Sequence, residues 1–162
     1  MSHPQEKFMK EAMVEAGKSA LLNQYALGAI IVNKNDEIIA VEHTTIHEKN
    51  DPTCHAEINA IRSACSKLKS KYLPGCWLYT TLEPCPMCTS AVIWAKMEGI
   101  VFGATKDDAI EFGEKQKNNL FDWRQIDISS SDIVKKGNPL VKLVGGFMQQ
   151  ECNQLFDLNT NI

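Results

Sequence analysis

The sequence predicts an α/β domain built around a mixed five-stranded sheet. Apolar runs of strand length alternate with segments of helical period along most of the 162 residues. Residues 33–36 (Asn-Lys-Asn-Asp) have the composition of a turn and join the first two apolar runs as a hairpin. The later runs are separated by helical segments, which predicts a parallel portion in the sheet. This length fits a single domain, residues 1–162.

The first half of the chain is predicted to hold a helix, a hairpin and a second helix. The predicted elements are a helix over residues 5–22, strands over 26–32 and 38–41, and a helix over 54–69. The first helix follows from apolar residues at helical spacing, such as Phe8, Ala12 and Ala16. Asp51 or Thr53 is expected to cap the second helix, because both side chains accept hydrogen bonds from amides of a first turn.

The second half is predicted to alternate strands and helices. The predicted elements are a strand over 76–82, a helix from Pro84 or Pro86 to about residue 97, strands over 100–104 and 140–144, and a last helix over 147–155. Proline is tolerated in the first turn of a helix, which favours a start at one of the two prolines. This helix is expected to bury Ala91, Ile93, Trp94 and Met97.

Residues 106–138 have no clear period and are the least readable part of the sequence. Three aromatic residues lie in this stretch, Phe112, Phe121 and Trp123. They either line a pocket or attach a long loop to the body of the protein, and we favour the second interpretation.

Composition argues against several classes of protein. The net charge of −3 and the pI near 5.8 lack the basic excess typical of nucleic-acid-binding proteins. The densest basic patch, Lys67, Lys69 and Lys71, is interpreted as a solvated helix end. No apolar run approaches 18 residues, and the first ten residues are polar. We therefore predict no membrane span and no signal peptide, and we expect a cytoplasmic protein.

The six cysteines are not expected to form a disulfide framework, because disulfides are rare in proteins that are not exported. Cys65, Cys76 and Cys152 have apolar neighbours and are predicted to be small core residues. Cys85 and Cys88 have the spacing of metal ligands.

Two short segments carry the chemistry, residues 54–57 (Cys-His-Ala-Glu) and 84–88 (Pro-Cys-Pro-Met-Cys). Together they supply one imidazole, two thiolates and one carboxylate, with 29 residues between His55 and Cys85. Structural zinc sites use four protein ligands, whereas catalytic sites use three and leave the fourth position to water. Three ligands therefore predict a catalytic zinc site.

Both segments are predicted to lie where helices begin, and a helix N-terminus favours thiolate over thiol. Zinc lowers the pKa of a water molecule that it binds to about 7. Glu57, two residues after His55, is expected to take the proton from this water and deliver it to a leaving nitrogen. These groups suit the hydrolytic removal of an amine from an amidine-like carbon.

Other interpretations of these residues are possible. A Cys-x-x-Cys pair also occurs in redox proteins and in zinc knuckles, and a knuckle needs a fourth ligand. His43 and His47 are candidates for that ligand, but they lie in a polar loop and are expected to be exposed to solvent. Cys54 is either a ligand, a group that contacts a ligand or a packing residue, and we favour packing.

The pattern His-x-Glu followed by Pro-Cys-x-x-Cys is the signature of zinc-dependent deaminases. The chain resembles the zinc-dependent cytidine/deoxycytidylate deaminase superfamily, and within it the guanine deaminase and tRNA adenosine deaminase branches. The resemblance covers about residues 5–105. Beyond the signature it includes residues 27–32 (Leu-Gly-Ala-Ile-Ile-Val), 50–62 (Asn-Asp-Pro-Thr-Cys-His-Ala-Glu-Ile-Asn-Ala-Ile-Arg) and 78–88 (Leu-Tyr-Thr-Thr-Leu-Glu-Pro-Cys-Pro-Met-Cys).

The resemblance implies a three-layer α/β/α sandwich of the cytidine deaminase type and a homo-oligomer, most simply a dimer. It implies one Zn²⁺ per chain, bound by His55, Cys85 and Cys88, with Glu57 as the catalytic proton carrier. It also implies that the backbone amide of Ala56 contacts the substrate base.

The chain departs from both branches at some positions. Both branches usually have an asparagine that hydrogen-bonds the base at one of these positions, and this chain has Thr44 there. A threonine hydroxyl does not offer a donor and an acceptor on two separate atoms, as an amide does. The basic tail of tRNA deaminases is also missing, since the chain ends Asp-Leu-Asn-Thr-Asn-Ile. The complete catalytic set, in an acidic chain without the charge pattern of a nucleic-acid-binding protein, leads us to predict deamination of a free purine base such as guanine. The alternatives are a tRNA deaminase that converts wobble adenosine to inosine, a cytosine or nucleoside deaminase, and a zinc-binding module without turnover.

Overall fold

A computed structural model describes residues 2–116 and 123–159. In chain order, the elements are α1 (Glu6–Leu21), β1 (Gly28–Val32), β2 (Ile38–His43), α2 (Ile46–Lys49), α3 (Ala56–Leu68), β3 (Trp77–Leu82), α4 (Pro86–Trp94), β4 (Gly99–Ala104), α5 (Lys106–Gln116), α6 (Ser130–Val134), β5 (Lys142–Val144), α7 (Gln149–Asn153) and a 3₁₀ helix (Gln154–Asn159). The five strands form one sheet in the order β2-β1-β3-β4-β5.

The sheet is mixed, as the sequence predicts. β1 pairs antiparallel with β2 and with β3, whereas β3, β4 and β5 run parallel. Every residue of β1, β3 and β4 is buried, and such central strands read as continuous apolar runs in sequence. The carboxyl end of β3 leads directly into the loop before α4, which places residues 83–85 at the end of the parallel strands.

Helices cover both faces of the sheet and create two apolar cores. On one face, α3 packs small residues such as Ala56, Ala60 and Ala64 near Leu78 and Val92. The other face holds a second core; its buried members include Phe8, Met9, Ile30, Tyr79, Val101, Cys152 and Phe156. These residues come from α1, α7, the 3₁₀ helix and the central strands. The predicted three-layer α/β/α sandwich is confirmed.

The prediction that α4 buries Trp94 is wrong, because Trp94 is 82% exposed. α4 ends at this residue, and its buried side chains are Cys88, Thr89 and Val92. At about 100° per residue, Trp94 points away from that buried face. The helix is rotated so that Cys88 enters the interior, and this rotation turns Trp94 toward solvent.

The predicted cap of α3 is also wrong. His55 is the N-cap residue, and its side chain makes no capping hydrogen bond. Asp51 Oδ1 instead accepts hydrogen bonds from the backbone N–H and the hydroxyl of Thr53, which closes a turn before the helix. The side chain of His55 is therefore not engaged in capping the helix that follows it.

Residues 106–138 contain two helices that the sequence did not predict, α5 and α6. Toward the C-terminus, β5 begins at Lys142 rather than at Leu140, which is 73% exposed. The predicted last helix is α7 followed by the 3₁₀ helix, which extends to Asn159. Asn159 is buried, accepts a hydrogen bond from the amide of Ala26 at 2.6 Å, and donates one to the carbonyl of Gln24 at 3.0 Å.

Gly28 marks the closest approach of α1 to the sheet. A Cβ atom at this position would overlap the carbonyl oxygen of Ala12 and would lie 2.7 Å from the amide nitrogen of Ala16. Both atoms belong to the helix backbone, so neither can rotate away as a side chain could. The absence of a side chain at residue 28 lets helix and strand pack at this distance.

We expect Gly28→Ala to lower the free energy of unfolding by about 3 kcal/mol or more, because the overlap forces the backbone to move. Gly17→Ala, within α1, is the matched control: no heavy atom lies within 4 Å of its added Cβ. That change should raise stability by about 0.5–1 kcal/mol through helix propensity. Guanidinium denaturation of both variants measures the difference. Equal midpoints for the two variants would contradict the close approach.

Within residues 2–116 and 123–159, no helix has both the length and the apolar character required to cross a membrane. The single domain over residues 1–162 and the homodimer stay predictions.

Candidate active site

The three predicted zinc ligands lie where two helices begin. His55 is the N-cap residue of α3, Cys85 is the N-cap residue of α4, and Cys88 lies in the first turn of α4. Backbone amides of a first turn have no partner within the helix, and they give the helix N-terminus a partial positive charge. Both termini adjoin the ligand cluster, where their partial positive charge suits anionic ligands.

The ligand atoms have the separations of a zinc site. Nδ1 of His55 lies 3.6 Å from Cys85 Sγ and 3.5 Å from Cys88 Sγ, and the two sulfur atoms are 3.6 Å apart. Zinc bonds of about 2.0 Å to nitrogen and 2.3 Å to sulfur give tetrahedron edges of about 3.4–3.8 Å. Among the described residues, this group contains no fourth histidine, cysteine or acidic ligand. The donor set therefore fits zinc with three protein ligands.

The two thiols and the imidazole are coupled electrostatically. The contact between the sulfur atoms lowers the pKa of Cys85 to about 4 and raises the pKa of Cys88 well above its ordinary value. The hydrogen bond with Cys85 also raises the pKa of His55. Zinc binds cysteine as thiolate, so binding of the metal would release the proton that the raised pKa of Cys88 favours.

Glu57 is buried beside the ligand cluster, with 6% of its surface exposed. Its Oε1 accepts a hydrogen bond from Thr80 Oγ1 at 3.1 Å, and its Oε2 lies 3.6 Å from Cys88 Sγ. Burial raises the pKa of Glu57, because the charged carboxylate loses its hydration. A carboxyl group with a raised pKa, fixed next to the candidate metal ligands, is suited to accept and release a proton.

A cavity of about 300 Å³ opens in front of His55 and Cys85. Its other lining residues are Tyr25, Leu27, Thr44, Ile46, Pro52, Met87, Trp123, Arg124, Gln125 and Ile126. Ala56 is the first residue of α3, so its backbone amide belongs to the unpaired first turn next to this cavity. The lining is largely apolar, which suits a flat aromatic ligand with few polar groups.

Thr44 lies at the wall of this cavity, and its hydroxyl is already engaged. Thr44 Oγ1 donates a hydrogen bond to the carbonyl oxygen of Cys54 at 3.2 Å. A hydroxyl has a single hydrogen, so only its lone pairs remain for another partner. Thr44 can therefore accept a hydrogen bond from a ligand N–H while it donates to Cys54.

A second loop lies over the metal-binding loop and is attached to it by Arg124, which is 9% exposed. The guanidinium donates from Nη1 to the carbonyl of Glu83 at 2.8 Å and from Nη2 to that of Ile128 at 2.9 Å. The carboxylate of Glu83 accepts hydrogen bonds from the amide of Lys106 and from the amide and hydroxyl of Ser130. Glu83, two positions before Cys85, thus binds the segment that closes the cavity.

The other candidate ligands lie outside the cluster. His43 is half-buried rather than exposed, and its Nδ1 lies 2.7 Å from Glu15 Oε1. The ring of His47 packs edge-on against Tyr25 at 5.5 Å. Cys54 is buried, and its thiol lies 3.4 Å from Asp51 Oδ2. The proposed knuckle with a fourth histidine has no support in this arrangement.

The family model for the zinc-binding region of cytidine and deoxycytidylate deaminases matches residues 2–104, which is well over half of the chain. The chain belongs to this deaminase family. The matched segment contains both helix N-termini of the metal site and ends with β4. The chain is thus an enzyme of the hydrolytic deaminase class, as its signature predicts.

Relatives of this deaminase include members of two branches. It is 46% identical to the tRNA-specific adenosine deaminase of Aquifex aeolicus over 99 residues, which span 61% of this chain and 65% of that protein. It is 40% identical to the guanine deaminase of Bacillus subtilis over 129 residues, which span 78% of each chain. A solved tRNA:A34 deaminase has a TM-score of 0.74 and 28% identity, covering 93% of this chain and 99% of that one. Both predicted branches are confirmed as relatives.

The deaminase site contains residues that the sequence did not single out. Thr80 holds Glu57, and Glu83 and Arg124 join the two loops. A weak signal existed for Thr80, because it is a polar residue within the apolar run of β3. Arg124 had no local signal, since its partner Glu83 lies 41 residues away in the chain. Phe121 lies outside the described residues, whereas Trp123 both lines the cavity and packs against the body of the protein.

Proposed function

We propose that this deaminase hydrolyses the exocyclic amine of a free purine base, with guanine as the leading substrate, and releases ammonia. The observation that carries the proposal is the cavity of about 300 Å³ in front of the metal ligands. This volume is at the lower end of the range for small-molecule sites, so it suits a single base better than a larger ligand.

The charges around the cavity support a neutral base as the ligand. Among the residues that the structure describes, the basic side chains that line it are His55 and Arg124. His55 belongs to the candidate metal cluster, and the guanidinium of Arg124 is bound to backbone carbonyls. A nucleic acid or a nucleotide needs cationic partners for its phosphates, which the described part of this lining does not offer. The net charge of −3 agrees with this preference.

The reaction replaces an exocyclic C–NH₂ group by C=O, with water as the nucleophile and ammonia as the leaving group. Zinc bound by His55, Cys85 and Cys88, one ion per chain, would supply Lewis acidity that activates water near neutral pH. Glu57 takes the proton from water and delivers it to the leaving nitrogen, while Thr80 holds its Oε1 in place. The Ala56 amide and the Thr44 hydroxyl orient the ring edge.

An ammonia-release screen tests the proposal. Zinc-loaded protein is incubated with free bases, nucleosides, nucleotides and aminated triazines, and ammonia is measured by a coupled assay. We expect the highest kcat/KM with guanine and much lower values with nucleosides, because the cavity fits one base. Cytosine should also give lower values, because its single ring buries less apolar surface than a purine. A highest kcat/KM for cytosine or for a nucleoside would replace the purine assignment, and no ammonia from any compound would refute it.

A tRNA adenosine deaminase is the second candidate function, favoured by the identity of 46% to the Aquifex aeolicus enzyme. This activity requires a flipped adenosine and contacts to phosphates, so binding would weaken steeply with salt. The same preparation is therefore incubated with tRNA transcripts, and inosine is measured in the anticodon. Inosine formation together with salt-dependent binding would establish this alternative in place of the free base.

A further inference from the structure

We propose that Trp123 is the specificity-determining wall of the cavity, and that its indole ring contacts the substrate ring and favours bicyclic purines over single-ring pyrimidines. This inference rests on the proposed function, because it concerns the ring that the same site accepts. Trp123 lines the cavity in front of the metal ligands together with residues 124–126.

The wall comes from a part of the chain that the family match does not include. The match ends at residue 104, whereas the wall is formed by residues 123–126. The match does include the metal ligands and Glu57. The candidate metal ligands and Glu57 thus lie in one segment of the chain, and residues 123–126 lie in another. The second segment can therefore differ between deaminases that share the first.

Trp123 is held in a fixed orientation by three aromatic rings. Its ring centre lies 4.9 Å from that of Phe156 and 5.0 Å from that of Tyr25, both in edge-on geometry, and 6.2 Å from that of Phe112. These neighbours come from the C-terminal 3₁₀ helix, from the loop before β1 and from α5. The part of the indole that they leave uncovered lines the cavity, so the ring is preorganised for a ligand.

Arg124 fixes the position of this wall relative to the reaction centre. Its guanidinium donates hydrogen bonds to the carbonyl of Glu83, two residues before Cys85, and to the carbonyls of Ile126 and Ile128 within its own loop. The residue next to Trp123 is thereby bound to the metal-binding loop. A shift of this loop away from the metal-ligand loop would have to break the buried hydrogen bond from Arg124 Nη1 to the carbonyl of Glu83, unless the Arg124 side chain followed the movement.

An indole wall favours large flat rings. The contact energy of stacked or edge-on aromatic rings grows with the shared surface, and a purine presents two fused rings where a pyrimidine presents one. Leu27, Ile46 and Met87 add apolar surface on other sides of the cavity. Trp123 is therefore expected to contribute more to the binding of guanine than to the binding of cytosine.

Equilibrium dialysis with labelled guanine and labelled cytosine measures this difference on zinc-loaded protein in a Glu57→Gln background, because active enzyme would consume guanine during the dialysis. Each Trp123 variant is compared with the protein that keeps Trp123 in that background. Trp123→Leu is expected to raise the Kd for guanine about ten- to a hundredfold, the range found when aromatic platforms for bases are removed. The Kd for cytosine should rise by less than about fivefold. Trp123→Phe retains a flat ring and should keep guanine binding within about threefold of the wild type.

Tyr72→Leu is the matched control, because Tyr72 precedes β3 at the opposite end of the sheet from the site and lines a separate surface groove. It should bind guanine as the wild type does. Zinc content and thermal unfolding of each variant are measured alongside. These measurements distinguish unfolding of the variant from the loss of the contact between the indole and the base. A guanine Kd in folded Trp123→Leu equal to that of the wild type, or equal losses for guanine and cytosine, would overturn the inference.

Tryptophan fluorescence gives a direct readout of the contact. Guanine should quench the emission of the wild type, and most of this quenching should disappear in Trp123→Phe, although that variant still binds guanine. Quenching that persists in Trp123→Phe would place the contact elsewhere and overturn the inference. Trp123-dependent binding of guanine without ammonia release would refute the proposed function alone, whereas absence of guanine binding to the wild type would refute both.

Discussion

Glu57→Gln is expected to lower kcat by about a hundredfold to ten-thousandfold and to leave the zinc content unchanged. Glutamine has nearly the same shape, and its amide oxygen can still accept the hydrogen bond that Thr80 Oγ1 donates to Glu57. The amide cannot accept and release a proton as a carboxyl group does. The variant therefore separates proton transfer from the architecture of the site.

Elemental analysis and a guanine deamination assay on the same preparation measure the two quantities. Glu98→Gln is the matched control, because the half-buried Glu98 pairs with the exposed Lys142 at the surface. An exposed ion pair contributes about 0–1 kcal/mol, so this variant should keep the wild-type kcat. If Glu57→Gln turned over substrate at a rate comparable to the wild type, Glu57 would not be the proton carrier.

Cys88→Ala is expected to weaken zinc binding by more than about a hundredfold, a larger effect than the loss of a group that merely contacts a ligand. Cys88 is fully buried, and its sulfur lies within 3.6 Å of both His55 Nδ1 and Cys85 Sγ. Its removal leaves one imidazole and one thiolate, which are too few protein ligands for a zinc site. Activity should be lost together with the metal.

The zinc content per chain after dialysis against a weak chelator measures this loss. Cys65→Ala is the matched control, since Cys65 is half-buried in α3 and lies outside the ligand cluster. It should retain the wild-type amount of zinc. A Cys88→Ala protein that also retained this amount would show that the metal has another set of ligands.

Local sequence patterns predicted most of the fold correctly. The strands of the sheet appear in sequence as apolar runs because β1, β3 and β4 are covered by helices on both faces. The turn at residues 33–36 forms as predicted, with Asn33 Oδ1 accepting hydrogen bonds from the amides of Asn35 and Glu37. These features depend on residues that are close together in the chain, so a short window contains the information.

The predictions that failed depend on how elements pack. Whether Trp94 is buried depends on the rotation of α4 about its axis, and the apolar residues of this helix do not define a single face. His43 was expected to be exposed, but it contacts Glu15, which lies 28 residues away in α1. A sequence window of one helix or one loop contains neither partner, so the pattern could not decide these cases.

The amino-acid sequence by itself determined the deaminase family of this protein, because the proposed metal ligands and the proposed proton carrier lie within two short segments, each at the start of a helix. Only the tertiary structure decided what the site can hold. Trp123 and Arg124 reach the cavity from a distant part of the chain, and Phe156 of the C-terminal 3₁₀ helix packs against Trp123. Their positions follow from packing and buried hydrogen bonds across the fold, and no local pattern encodes such contacts.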